Sequence, residues 1–163
     1  MRRLGELASG AANGASPNVD LADLYRQERA RLVGVATAMV GSAAIAEELV
    51  QDAFVKVDGR LDGVEQPAGY VYRVVVNLCL HHLRRRRVER KHASPGAALV
   101  WPQEIDETWA AVRRLPARQQ AVVALRFYDD LSEHAISEVL DWPLGTVKST
   151  LHRALKRLQE ELA

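Results

Sequence analysis

A single cysteine, Cys79, stands among the 163 residues, so no internal disulfide framework can form, and the chain fits a reducing cytoplasm. Long apolar runs are also missing: although 48% of residues are hydrophobic, none of their runs approaches the roughly 18–20 that a membrane-spanning helix needs. The N-terminus is basic at Arg2 and Arg3, but Glu6, Ser9 and Asn13 interrupt what would be a signal peptide's apolar core. A cytoplasmic chain with no membrane insertion is therefore expected. No glycine-rich phosphate loop occurs, and the scattered Ser, His and Asp residues show no nucleophile–base pattern, so neither an enzyme nor a small-molecule substrate is expected. Cys79, His81, His82 and His92 match no common zinc spacing, and no metal or cofactor is expected. Last, the chain has no surplus of either charge. Its 22 Lys+Arg against 21 Asp+Glu leave +1, which taken whole argues against a nucleic-acid binder.

The arrangement of those charges reverses that reading. From Glu47 to Glu65 six acids oppose two bases, giving −4. From Tyr70 to His92 seven bases oppose one acid, giving +6, and Asp129 to Asp141 carries five acids and no Lys or Arg, giving −5. From Trp142 onward four bases oppose two acids, giving +2. Fields decay over about 8–10 Å at physiological salt, so a partner meets these blocks and not their sum.

Periodicity makes the chain all-helical, in two small domains joined by a flexible linker. Residues 1–19, rich in Gly, Ala, Ser and Asn, read as a flexible arm. Leu21, Leu24, Tyr25, Leu32, Val35, Ala36 and Met39 recur at helical steps, and Gly41 stops that helix. Ser42 caps a second helix with a stripe of Ile45, Leu49, Val50, Ala53 and Val57. Residues 58–66 are a loop by turn chemistry, and Pro67 opens a third helix running to about Arg87, apolar nearly all round through Leu80. The composition changes over 88–103, where Ser94-Pro95-Gly96 marks the break. The expected division is an arm at 1–19, a first domain at 20–88, a linker at 89–103 and a second domain at 104–163. In the second domain a helix is expected over Glu104–Leu115, another over Ala117–Tyr128, and a third capped by Ser132. Asp141-Trp142-Pro143 then turns into a last helix ending near Glu161, which is helix-turn-helix spacing.

At about 100° per residue, Leu144, Val147, Leu151, Leu155 and Leu158 gather on one side of the last helix. Thr146, Ser149, Thr150, Arg153 and Arg157 gather on nearly the opposite side. Short hydroxyls let a helix approach base edges, and arginines reach guanine or phosphate. An amphipathic surface helix with a solvated face has the same pattern. The preceding helix, apolar at Ala135, Ile136, Val139 and Leu140, supports DNA binding instead.

Leu115-Pro116-Ala117-Arg118-Gln119-Gln120-Ala121, Leu131-Ser132-Glu133 and Gly145-Thr146-Val147-Lys148-Ser149-Thr150-Leu151-His152-Arg153-Ala154 resemble the fourth region of sigma factors of the extracytoplasmic-function type. Ala46-Glu47-Glu48-Leu49-Val50-Gln51-Asp52-Ala53-Phe54 and Gly69-Tyr70-Val71-Tyr72-Arg73 through Asn77-Leu78 resemble the second region of the same family. The resemblance implies an initiation subunit that binds core RNA polymerase, recognises promoter DNA and promotes strand opening. It also implies an anti-sigma partner. By that resemblance Glu47, Glu48, Gln51 and Asp52 dock on the polymerase. Tyr70, Tyr72, Arg73, Asn77, Arg84 and Arg85 meet the minus-ten element, with an aromatic stacking on an unpaired base. Thr146, Lys148, Ser149, Thr150, His152, Arg153 and Arg157 meet the minus-thirty-five element. The acidic residues read equally as a solvated face, and Tyr72 equally as core. Asp141 stands where the family often has Gly, Pro143 where a capping Ser or Thr is common, and Thr150 where Arg is frequent. Two other readings fit the residues: a helix-turn-helix regulator that is no sigma subunit, and a helical protein-interaction module.

Overall fold

The computed structural model describes residues 19–92 and 107–163. The N-terminal arm, apart from Val19, and most of the linker thus lie outside the described residues. Helix α1 (Leu21–Val40) starts on Asp20, whose carboxylate accepts from the Ala22 amide at 2.9 Å, and ends on Gly41 at φ 79°. Only glycine adopts that left-handed geometry without steric cost. Helix α2 (Ala43–Val57) begins on Ser42, whose hydroxyl accepts from the Ile45 amide at 3.3 Å. Helix α3 (Pro67–His92) continues past the expected end near Arg87, so residues 89–92, assigned to the linker by composition, are helical. Leu32, Met39, Val50, Val71 and Val75 are almost wholly buried where the three helices meet, and Tyr25 packs edge-on against Phe54.

The second half contains α4 (Glu107–Arg114), α5 (Ala117–Val123), α6 (Glu133–Leu140) and α7 (Leu144–Leu162). Among the described residues there is no strand, and the all-helical expectation holds. One element differs. The helix expected over Ala117–Tyr128 is α-helical only to Val123 and then widens into a π-helical turn, Ala124–Tyr128. The Asp129 amide reaches back five residues to the Ala124 carbonyl at 3.4 Å, and Asp130 follows at φ 54°. Such wide turns mark an extra residue accommodated in a helix and are frequent at functional sites. Ser132 caps α6 through the Ala135 amide at 3.1 Å, and Asp141 adopts the left-handed conformation at φ 53° in the helix-turn-helix corner. Pro143 opens α7 without a side-chain cap; its carbonyl accepts from Thr146 and Val147 instead.

The two halves pack against each other in one continuous hydrophobic core. Polar contacts cross between them as well. The Gln120 side-chain amide donates to the Met39 carbonyl at 2.6 Å, in a buried setting. Met39 lies in the last turn of α1, where carbonyls have no partner within their own helix. A residue of the second half thus completes a helix of the first. Replacing it, Gln120→Ala, is expected to lower stability by roughly 1–2 kcal/mol, because the buried carbonyl loses its donor; urea denaturation measures the change.

Candidate nucleic-acid interface

Three exposed faces carry the polar residues singled out in the sequence. On α7, Val147 and Ala154 are 0% exposed while Leu155 is 41% exposed. The packed face is therefore turned by about 50° from the one the leucines alone suggest, taking 100° per residue. Small Ala154 lies at its centre, where close helix approach leaves no room for a leucine. The turn has a further consequence, which corrects the expected site: Thr150 is only 4% exposed and faces the core, so it is not presented to DNA. Lys148, Ser149, His152, Arg153 and Arg157 are exposed, and Thr146 is half-buried. In the free protein Arg153 lies along its own helix, its Nε donating to the Ser149 carbonyl at 3.2 Å. Two contributors escaped the sequence reading. Lys156 lies within this exposed face, near Glu160. Arg118 sits over the Trp142 ring at 4.0 Å and so braces the corner that leads into α7. Counting both faces of α7 by exposure would have found the lysine; the arginine's role needs the fold.

On α3, Tyr70, Arg73, Asn77, His81 and Arg84 recur at three- and four-residue steps along one exposed face, with Arg85 beside them. From Tyr70 to Arg84 this stripe runs about 21 Å at 1.5 Å per residue. Tyr72 does not join it. It is 3% exposed, its hydroxyl donates to the Asp129 carboxylate at 2.8 Å, and burial first of all, then the Asp129 charge, pushes that phenol well above its ordinary range. An aromatic held this way cannot stack on a base, which corrects the minus-ten set. Beside the start of α3 a cleft of about 550 Å³ opens, lined in part by Asp20, Asp23, Arg31, Gln66 and Gly69, with Tyr72 in its wall.

On α2, Glu48, Gln51 and Asp52 face solvent, and Val55, 76% exposed, stands among them. Sequence reasoning missed Val55 because a lone apolar residue has no periodic signal. Glu47 behaves differently from its neighbours: both its oxygens accept from the Arg29 guanidinium, at 2.5 and 2.6 Å, and this bonding raises the arginine's pKa.

The base-rich end of α3 also perturbs a histidine. The His82 Nε2 atom is buried without a hydrogen-bond partner among the described residues, and desolvation, helped by Arg86 and Arg85, lowers its pKa below 6.5. An unfolded chain takes up this proton near its ordinary pKa, whereas the folded one resists it. Stability should therefore fall as pH drops below about 6.5, and His82→Gln should flatten the slope between pH 7.5 and 5.5 in urea melts. Cys79 is buried next to this region, and burial pushes its thiol up to about 12.

Comparison with known proteins agrees with this geometry. Residues 24–89 match the family model described as Sigma-70 region 2, and residues 105–158 match Sigma-70, region 4. Over 153 residues the chain is 31% identical to the RNA polymerase sigma-E factor of Streptomyces avermitilis, covering 88% of this chain and 86% of that one. The chain belongs to the extracytoplasmic-function sigma factors of the sigma-70 family. A more distant relative of this sigma factor, the ECF RNA polymerase sigma factor SigW of Bacillus subtilis, is 23% identical over 88% of the chain and 87% of its own length. Among solved structures, the sigma factor RpoE of Bartonella quintana, crystallised in complex with the anti-sigma factor NepR, shares the fold. Its TM-score is 0.66 at 21% identity, covering 88% of this chain and 96% of that one. The sigma factor's two matched regions thus fall on α1–α3 and α4–α7, where the exposed faces lie.

Proposed function

We propose that this sigma factor binds core RNA polymerase through the exposed face of α2 and reads promoter DNA through α3 and α7. The observation that carries the reading is the separation of one acidic face from two basic or hydroxyl-rich ones, each on a different helix of the two matched regions. Glu48, Gln51 and Asp52, with Val55 among them, form a polymerase-facing patch; Glu47 supports it through Arg29. Tyr70, Arg73, Asn77, Arg84 and Arg85 meet the minus-ten element, the tyrosine stacking on an unpaired base and the arginines neutralising phosphates. Stacking contributes about 1–3 kcal/mol per base, which offsets part of the cost of extruding it. Thr146, Lys148, Ser149, His152, Arg153, Lys156 and Arg157 meet the minus-thirty-five element. The two domains are 20–92, which takes in the whole of α3, and 104–163. The protein does no chemistry of its own and acts in the cytoplasm, where the polymerase is. An anti-sigma factor that covers these faces would restrain it, as the solved relative is held by one.

The test is promoter-specific transcription with sigma-free core polymerase. Added protein should produce defined transcripts from a cognate promoter; no association with core at micromolar concentration would refute the reading.

A further inference from the structure

Apart from proline, glycine is the poorest helix former, so a glycine within a helix calls for a reason. Among the described glycines, Gly41, Gly59 and Gly63 have positive φ, where a side chain is strained. Gly34 faces the Tyr128 hydroxyl, which lies 2.7 Å from where a Cβ would stand, and a Cβ on Gly69 would rest against the Gln66 side chain at 3.7 Å. Gly145, the second residue of α7, has neither explanation. Its φ is not positive, and beyond its own helix and chain neighbours a Cβ there would meet nothing within 4 Å. The folded chain would accept alanine at this position and gain by it, because alanine orders the helix more cheaply.

The position of this bare spot matters. At 100° per residue Gly145 lies within about 60° of Lys148, Ser149 and His152, in the exposed face of α7. Side chains on a helix lean toward its N-terminus, so Ser149 projects over the turn to which Gly145 belongs. Its hydroxyl does point that way, donating to the Thr146 carbonyl at 3.2 Å. Thr146 is half-buried, which leaves Ser149 as the fully exposed short side chain of the set. Lysine and arginine reach a groove from a range of depths by changing rotamer. A serine cannot, since its hydrogen bond survives only within about half an ångström of the preferred length. A Cβ at position 145 would extend about 1.5 Å from the backbone, one turn from that hydroxyl.

We propose that Gly145 sets how deeply α7 enters the major groove: its bare backbone lets the helix close on the DNA until the Ser149 hydroxyl reaches a base edge. This assignment rests on α7 being the minus-thirty-five helix, and it adds what fixes the depth and, through depth, the sequence preference. Non-specific complexes, held by phosphates alone, do not need that depth.

The experiment compares wild type and Gly145→Ala, each as the full chain on core polymerase. One duplex is drawn by the wild-type holoenzyme from a pool randomised at the minus-thirty-five element, and the other is its scrambled counterpart. Gly145→Ala should hold the Tm of the free protein level or raise it by up to about 3 °C. It should weaken binding to the selected duplex roughly 5- to 50-fold and to the scrambled one less than about twofold. In a Ser149→Ala background the same change should cost distinctly less, because the contact that depth serves is already gone. Undiminished binding to the selected duplex, equal loss on both duplexes, additive costs with Ser149→Ala, or a lowered Tm would each overturn the assignment. A wild-type holoenzyme that draws no sequence from the pool would instead overturn the reading of α7 on which it rests.

Discussion

Ile136→Ala lowers the stability of the chain by about 2–5 kcal/mol, the range for truncating a buried aliphatic side chain and leaving a cavity. Ile136 is 0% exposed on α6, a helix that packs against both α7 and α3, so closing the cavity would require a helix to move. For a chain of this size each kcal/mol shifts Tm by roughly 2–4 °C, and the drop should be on the order of 5–15 °C by calorimetry. The loss should appear in one transition, because the halves share a core and the Gln120–Met39 bond. Two companions test the orientation of α7. Leu155→Ala, at 41% exposure, should cost under about 1 kcal/mol, whereas Ala154→Leu, at 0%, should cost about 1–3 kcal/mol by overpacking. Equal costs for Leu155→Ala and Ile136→Ala would mean that the packed face was drawn wrongly.

Arg153→Ala should weaken binding of the polymerase holoenzyme to upstream promoter duplex roughly 5- to 150-fold, the 1–3 kcal/mol of a good arginine–base contact. Binding to core should not change, since α2 is untouched. Among the described residues Arg153 bonds to Ser149 on its own helix, contacts that water replaces easily, so the folded state loses little. Repeating the measurement across salt separates the possible contacts. A phosphate contact reduces the log–log salt slope by about 1 and affects all sequences alike, whereas a base contact leaves the slope nearly unchanged and relaxes sequence preference. Parallel loss of core binding would show that the residue supports folding and not recognition.

Most of the architecture was legible because the signals were local. Asp20 aside, the caps at Ser42 and Ser132, the stop at Gly41 and the left-handed Asp141 each act within one helical turn, where residue type decides conformation. What was not legible depended on neighbours distant in the chain. Thr150 lies at the margin between the two faces of α7, and only the approach of other helices to Ala154 decided that it goes inside. Tyr72 sits in a helix whose periodicity allows either fate; Asp129, 57 residues later, settled it. The π-helical turn left no mark in the pattern, because it ends its helix at Tyr128 and no helical residues follow in which a shifted apolar recurrence could show.

That turn governs angular register. A single residue more or less rotates everything after it by about 100° about the helix axis. The extra residue between Ala124 and Tyr128 is therefore what aims the Asp129 carboxylate back at α1 and α3; deleting one residue there would restore an ordinary helix and swing the acid toward solvent. The meeting of Asp129 with Arg31 and Tyr72 thus depends on one irregular turn.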